Sequence, residues 1–278
     1  PKCTWGSIST GWGDAATIVP FELYKAYGDP KILEISVDMM EKWINYELSK
    51  CKKPNIVSFE MAFGDWCALD KGYGWESQGL TRFDLVDTAF TLNSIQIMID
   101  SLKVLGKDAS KYEKLHAEMK KAYQQEFIKD GHMIGPKTLI FSQNERNANT
   151  QTGIVLTLQF NLCEEKDRES LLNDLVENIK ECETRLTTGF LGTPYLLHVL
   201  SNNGRSDVAY DLLFQTRYPS WLYSVKKGAT TFWEHYNGIK EDNTLFDPGM
   251  NSYNHYAYGC VFNWMFQNIS GIQIVKSG

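Results

Sequence analysis

Apolar residues recur every three or four positions over much of the chain, with polar residues between them, and this spacing predicts amphipathic helices. The segment 84–105 shows the pattern most strongly, and Gly106 ends it. At Asp29-Pro30 a new helix starts, because proline is well tolerated at a first helical position. Helices are expected at about 14–28, 30–48, 84–105, 108–127, 150–160, 166–179, 187–200 (after the Gly-rich start of this stretch), 207–215 and 254–269.

No series of strands accompanies these helices, so we predict an all-α fold. Short Gly/Asp turns join some helices, and long aromatic loops at 55–82 and 216–253 join others. This alternation predicts antiparallel helix hairpins with their elaborate loops on one face. We expect a single α-helical domain over residues 1–278, arranged as an (α/α)6 toroid with a site at its loop-rich mouth. Nine helices are fewer than the twelve of six hairpins, so an incomplete N-terminal side is expected.

Composition and charge exclude several classes of function. The 278 residues are 43% hydrophobic and 22% charged, which is enough for a sizeable core. The net charge of −6 argues against a protein that binds nucleic acid and against a basic protein that binds a membrane surface. No apolar run approaches the roughly 18 residues of a membrane span, so we expect a soluble chain. A periplasmic, secreted or cytoplasmic location and the oligomeric state are left open.

The aromatic content is high, at 8 Trp, 14 Tyr and 14 Phe, and many of these residues lie in Gly-rich loops. Such loops suit a concave site that stacks on sugar faces, although core packing also uses aromatic residues. The six cysteines show no CxxC pair and no metal-ligand spacing with histidine, so no metal and no cofactor is expected. The chain also lacks a Gly-x-Ser-x-Gly elbow, a P-loop and a dinucleotide fingerprint.

The long loops contain several carboxyl groups, and a pair of them could provide acid/base catalysis. Hydrolysis of a glycosidic bond needs one carboxyl group to protonate the leaving oxygen and another to act as base or nucleophile. Three of the loop acids adjoin a tryptophan, although such neighbours also arise by chance in a Trp-rich chain. The candidate acids in the loops are Asp14, Glu60, Asp65, Asp70, Glu76, Glu234 and Asp247.

The non-periodic stretch 226–236 holds one of these acids among aromatic residues. Glu234 follows Trp233 there, and both an acid/base role and a plain surface position are open. Asp14 precedes a predicted helix, so a helix cap is favoured over a role in a site. The stretch 253–256 contains His255 with an amide and two tyrosines, which suits the binding of sugar hydroxyls or simple capping by Asn254.

Several motifs together resemble the catalytic domain of glycoside hydrolase family 78, the bacterial α-L-rhamnosidases. They occur in the family's order and span nearly the whole chain, which makes the set far more specific than any single motif. The motifs are Gly11-Trp12-Gly13-Asp14-Ala15-Ala16, Gly64-Asp65-Trp66, Leu186-Thr187-Thr188-Gly189-Phe190-Leu191-Gly192, Tyr218-Pro219-Ser220-Trp221, Gly228-Ala229-Thr230-Thr231-Phe232-Trp233-Glu234 and Ser252-Tyr253-Asn254-His255-Tyr256.

The resemblance implies an (α/α)6 barrel and inverting hydrolysis that releases L-rhamnose from a rhamnose-containing oligosaccharide or glycoside. The family's general base lies in a Thr-Thr-x-Trp-Glu motif, which places that role on Glu234. Its ring-stacking and sugar-contacting residues match Trp12, Trp66 and His255. The same motifs supply the other predicted substrate-binding residues, which are Asp14, Asp65, Trp221 and Trp233.

Two departures from the family pattern change the expectation. The family's general acid lies in an Asp-Cys-Pro…Arg-Glu…Gly-Trp-x-Gly-Asp segment, which these 278 residues do not contain. We therefore expect the C-terminal portion of a catalytic barrel, without the family's later β-sandwich. His235 and Tyr236 replace the usual Arg-Trp after the base. The alternatives are a catalytically silent portion that binds sugar weakly, or an (α/α)6 glycosidase for another sugar.

Overall fold

The computed structural model of the chain describes residues 9–59, 62–71, 78–142, 145–274 and 277. Within these ranges it contains ten α-helices and four strands of two or three residues, so the predicted all-α class is confirmed. The chain divides into two compact units. No helix in the described ranges combines the length and the apolar character that crossing a bilayer requires.

The first unit comprises residues 1–64, 82–129 and 273–278. Its helices and strands are α1 (Ala15–Tyr27), α2 (Lys31–Leu48), β1 (Cys51–Lys53), β2 (Ile56–Val57), α3 (Phe83–Val104), α4 (Ser110–Phe127) and β3 (Ile128–Lys129). Each of the four helices packs on the next one along the chain. Between α1 and α2, Gly28 adopts a φ of 70° and donates its N–H to the carbonyl of Tyr24, which is the helix ending that glycine favours.

Helix α3 forms the interior of this unit. It is buried on nearly every side, because apolar residues and small hydroxyl residues occur on all of its faces. Helix α4 instead buries one stripe, which includes Tyr112, Met119 and Tyr123. The hydroxyl residues of α3 give the surrounding loops buried partners. For example, the Val57 N–H donates to the Thr88 hydroxyl at 3.0 Å.

The second unit comprises residues 65–81 and 130–272. Its elements are β4 (His132–Met133), α5 (Gln151–Gln159), a 3₁₀ turn (Glu165–Asp167), α6 (Arg168–Glu181), α7 (Thr193–Asn202), α8 (Ser206–Leu213), α9 (Trp221–Lys226), a second 3₁₀ turn (Ala257–Cys260), α10 (Val261–Trp264) and a π turn (Met265–Ile269). Helix α5 packs on α6 and α7, and α7 packs on α8 and α10. The side chains of Thr150 and Ser220 cap α5 and α9 by accepting N–H groups from Gly153 and Tyr223.

The predicted helices up to α6 are confirmed to within a few residues, and the differences lie in the second unit. Helix α7 begins at Thr193, after the Gly-rich start of the predicted stretch 187–200. Three N–H groups in that start donate to the buried carboxylate of Asp65. The predicted loop 216–253 contains the six-residue α9. The predicted helix at 254–269 is broken into a 3₁₀ turn, the short α10 and a π turn.

Candidate active site

Glu234 lies in the loop after α9 and is half-buried. Its N–H donates to the carbonyl of Ser252 at 2.8 Å, and its Oε2 accepts the Ser252 N–H at 2.9 Å. These two bonds fix both the backbone and the carboxyl plane of Glu234. Among the residues that the structure describes, no donor reaches Oε1. One oxygen is thus held in place while the other keeps its capacity to accept a proton.

His255 lies beside this carboxylate segment. Its N–H donates to the carbonyl of Phe232 at 2.9 Å, so residues 252–255 run alongside 232–234. The imidazole stacks on Phe190 with 4.9 Å between ring centroids, and its Nδ1 accepts the Ala257 N–H at 3.3 Å. Because Nδ1 is an acceptor, a neutral imidazole carries its proton on Nε2 and can donate that N–H to a ligand.

The residue after Glu234 is buried and neutral. Burial lowers the pKa of His235, and its ring packs on Phe246 at 4.6 Å. Within the described residues its Nε2 has no hydrogen-bond partner. The replacement of the family's arginine by His235 therefore leaves Glu234 without a permanent positive charge as its next neighbour.

Two of the predicted sugar-binding tryptophans, Trp221 and Trp233, are buried and contact neighbouring segments of the protein. Trp233 meets Tyr253 edge to face with ring centroids 5.2 Å apart. Trp221 is the first residue of α9, and its Nε1 donates to the carbonyl of Tyr258 at 3.0 Å. Trp66 is half-buried and is thus the least buried of the three. Direct sugar contact stays a prediction for all three, and the geometry favours Trp66 for it.

Asp65 is fully buried, and its carboxylate accepts four hydrogen bonds. The donors are the N–H groups of Gly189 (2.7 Å), Leu191 (2.7 Å) and Gly192 (3.2 Å), together with the hydroxyl of Thr152. Burial raises the pKa of Asp65, and these four donors oppose that effect. A carboxylate with this set of protein donors favours a supporting role over contact with sugar.

Two further candidate acids of the second unit have other partners. Asp70 is buried and accepts the Leu80 N–H at 2.9 Å. Burial, with a smaller contribution from the charge of Asp65, raises the pKa of Asp70 to about 7. Asp247 accepts the Gly249 N–H at 2.6 Å within a tight turn. Glu60 and Glu76 lie outside the described residues.

The first unit holds the remaining predicted residues. Trp12 is 38% exposed and meets the ring of Phe63 edge to face at 5.1 Å. Asp14 precedes α1, but its side chain does not cap that helix. The carboxylate turns into the core, where it accepts from Gly11 N–H (2.7 Å), Ser94 Oγ (2.5 Å) and Trp43 Nε1 (3.3 Å). A role of Trp12 and Asp14 in sugar binding stays a prediction.

Sequence reasoning missed several contributors to this geometry. Ser252 and Phe190 lie inside motifs that were recognised, but neither residue type suggests a partner for a carboxylate or an imidazole. Their roles depend on backbone bonds and ring contacts between segments far apart in sequence, and no local pattern reports such contacts.

The second unit thus presents a half-buried carboxylate, an imidazole with an N–H to donate and a half-buried indole, all carried on segments between helices. A carboxylate, a hydrogen-bond donor and an aromatic ring are the kinds of group that glycosidase sites use. A family model described as the bacterial alpha-L-rhamnosidase 6 hairpin glycosidase domain matches residues 1–269. The chain belongs to this family.

Individual relatives agree with this assignment. An α-L-rhamnosidase of Alteromonas sp. (strain LOR) is 41% identical over 273 residues, which are 95% of this chain and 28% of that protein. The crystal structure of the Streptomyces avermitilis α-L-rhamnosidase complexed with L-rhamnose matches with a TM-score of 0.82 and 35% identity, over 95% of this chain and 24% of that one. The Aspergillus terreus α-L-rhamnosidase matches with a TM-score of 0.87 and 30% identity, over 98% and 30% of the two chains. The chain therefore spans less than a third of the length of these relatives.

A buried acid of the first unit was not predicted at all. Glu47 on α2 is fully buried, and neither of its carboxyl oxygens has a hydrogen-bond partner among the described residues. Burial, then the negative charge of Asp14, raises its pKa well above the ordinary value of 4.5. Asp87 on α3 faces the same interior, and burial raises its pKa to about 7. Glu47 in the folded chain therefore keeps its proton to a higher pH than an exposed glutamate does.

The raised pKa of Glu47 predicts that the free energy of unfolding depends on pH. Unfolded Glu47 releases its proton near pH 4.5 and folded Glu47 does so only at higher pH, so the folded state is favoured at low pH and loses stability as pH rises. The contribution of one such group is at most about 1.4 kcal/mol per pH unit. We expect Glu47→Gln, which is neutral at every pH, to make the decline between pH 5 and 8 shallower. Urea unfolding followed by tryptophan fluorescence measures the decline.

Glu34→Gln on the exposed side of the same helix controls for the loss of one carboxyl group. Parallel declines for wild type and Glu47→Gln would show that Glu47 is ionised in the folded chain.

Proposed function

We propose that the protein containing this chain hydrolyses terminal α-L-rhamnosides with inversion of configuration, and that Glu234 is its general base. Family membership supports the reaction class, and the L-rhamnose bound to the Streptomyces avermitilis relative supports the sugar. The whole-protein activity extends beyond this chain, which spans less than a third of its relatives.

The observation that carries the proposal is the asymmetric environment of the Glu234 carboxylate. A general base must have a fixed position and an oxygen that can accept a proton from water. The Ser252 N–H fixes Oε2, while Oε1 receives no donor from the described residues. In an inverting glycosidase such an oxygen activates the water that attacks the anomeric carbon opposite the leaving group. As the water oxygen bonds to the anomeric carbon, its proton passes to Oε1, the C–O bond to the leaving group breaks, and the leaving oxygen takes a proton from the general acid.

Sugar binding in this proposal uses the groups beside Glu234. The His255 Nε2–H donates to a rhamnose hydroxyl, and the half-buried Trp66 packs on an apolar face that includes the 6-deoxy methyl group. The general acid is assigned to neither Asp65 nor Asp70, because both are buried with protein donors on their oxygens. The resemblance places that acid in a motif that these 278 residues do not contain.

Replacement of the base tests the assignment. We expect Glu234→Gln in the full-length protein to lower kcat on an aryl α-L-rhamnoside about 10²–10⁴-fold, because the amide cannot accept the proton from water. Glu241→Gln, an exposed change in the same loop, is the matched control. Turnover of Glu234→Gln within about tenfold of wild type would refute the role of Glu234.

The stereochemistry of the product tests inversion independently of any variant. Attack by water opposite the leaving group converts an α-linked substrate into β-L-rhamnose, which then mutarotates. We expect ¹H NMR in the first minutes of hydrolysis to show the β anomer before the α anomer accumulates. Initial release of the α anomer would indicate a covalent intermediate and a nucleophilic carboxylate instead.

A further inference from the structure

The backbone between residues 187 and 192 is held by one buried side chain. The N–H groups of Gly189, Leu191 and Gly192 all donate to the two oxygens of Asp65. The intervening Phe190 N–H donates to the carbonyl of Trp66 at 2.8 Å. Four consecutive N–H groups are thus fixed by Asp65 and the residue after it, and bonds to a charged acceptor are the stronger kind.

The segment has no room to take up another position. A Cβ atom on Gly189 would lie 2.2 Å from the Trp66 carbonyl oxygen and 2.6 Å from the Ala68 nitrogen. The Leu69 N–H also donates to the carbonyl of Thr187 at 2.8 Å. Residues 65–69 and 187–192 therefore pack backbone against backbone, and the Asp65 carboxylate lies at the centre of this contact.

This segment controls the face of the imidazole beside Glu234. The Phe190 ring stacks on His255 with an interplanar angle of 26° and meets Tyr258 edge to face at 5.4 Å. The Tyr258 hydroxyl donates to the carbonyl of Cys67 at 3.3 Å, so Tyr258 is tied to the same 65–69 segment. The side chain of Phe190 is consequently held at its backbone and at its ring edge, with its face against His255.

We infer that Asp65 is a positioning residue for the sugar site and that it acts through Phe190 on the orientation of the His255 imidazole. The inference rests on the proposed role of His255 as a hydrogen-bond donor to a rhamnose hydroxyl. Asp65 itself touches no sugar, since its oxygens are occupied by protein donors. It also fixes the backbone from which Trp66 projects, so one carboxylate places the imidazole and the indole relative to each other.

A double-mutant cycle between Asp65 and His255 tests this inference in the full-length protein. In Asp65→Asn one oxygen keeps its donors, but the NH₂ group faces N–H or O–H donors and cannot accept from them. We expect Asp65→Asn to lower kcat/KM on an aryl α-L-rhamnoside at least about tenfold in the wild-type background. In the His255→Ala background we expect a cost below about twofold, because the group that Asp65 positions is gone. Tryptophan fluorescence titration with L-rhamnose provides the same cycle without turnover.

Asp70→Asn is the matched control. Asp70 is also buried and lies in the same part of the chain, but it accepts from Leu80 and has no bond to the 187–192 segment. Asp70→Asn should therefore change kcat/KM by the same factor in the wild-type and His255→Ala backgrounds. Thr152→Val covers the case in which Asp65→Asn does not fold, because it removes one of the four donors and leaves the carboxylate in place. We expect Thr152→Val to lower kcat/KM more in the wild-type background than in the His255→Ala background. We expect Thr152→Ser, which keeps the hydroxyl donor, to have the kcat/KM of the wild type.

The outcomes separate this inference from the proposed function. The positioning role is overturned if Asp65→Asn lowers kcat/KM by the same factor with and without His255. If Asp65→Asn does not fold, the same comparison is made with Thr152→Val. An equal loss in the two backgrounds would show a purely structural role. If Glu234→Gln retains activity, the proposed base is wrong whatever the cycle shows. If Glu234→Gln is inactive and the Asp65–His255 cycle is additive, only the positioning role is wrong.

Discussion

The pairing of buried backbone groups outside the helices is the constraint on which the second unit depends. An N–H group removed from water costs free energy unless it finds an acceptor, and the N–H groups of residues 189–192, which precede a helix, find theirs in another segment. Asp65 supplies that acceptor for three N–H groups at once. The loops that carry the candidate site are therefore ordered by groups from distant parts of the sequence, and their side chains are left available for ligand.

The first unit meets the same constraint with a different set of groups. Helix α3 is buried on nearly every side, so its threonines and serines must find partners in the interior, and the carboxylate of Asp14 is one of them through Ser94. Burial of several carboxyl groups in one interior is costly when they are ionised. Burial and the charges of Asp14 and Asp87 raise the pKa of Glu47, so the proton that this carboxyl group holds at low pH removes one charge from the interior.

The helices could be predicted because their information is local. The 3.6-residue period and the turn residues fix α1 to α6 from sequence alone, and Gly28 ends α1 as the turn pattern indicates. Helix α9 was missed because six residues are too few to show a period. The Gly-rich start before α7 could be recognised, but the acceptor of its N–H groups could not, because Asp65 lies more than a hundred residues away in sequence. The hydrogen bond between Ser252 and Glu234 could not be predicted either, because it joins two irregular loop segments that show no period.

Two acids that are equivalent in sequence are separated by the number of their donors. Asp65 and Glu234 each adjoin a tryptophan in a Gly-rich loop, and sequence motifs nominate both for the site. In the structure Asp65 accepts four hydrogen bonds and Glu234 accepts one. A carboxylate whose lone pairs are all engaged holds the backbone in place, whereas one with an unengaged oxygen can accept a proton. Donor count, rather than the neighbouring tryptophan, is what distinguishes the supporting acid from the acid suited to catalysis.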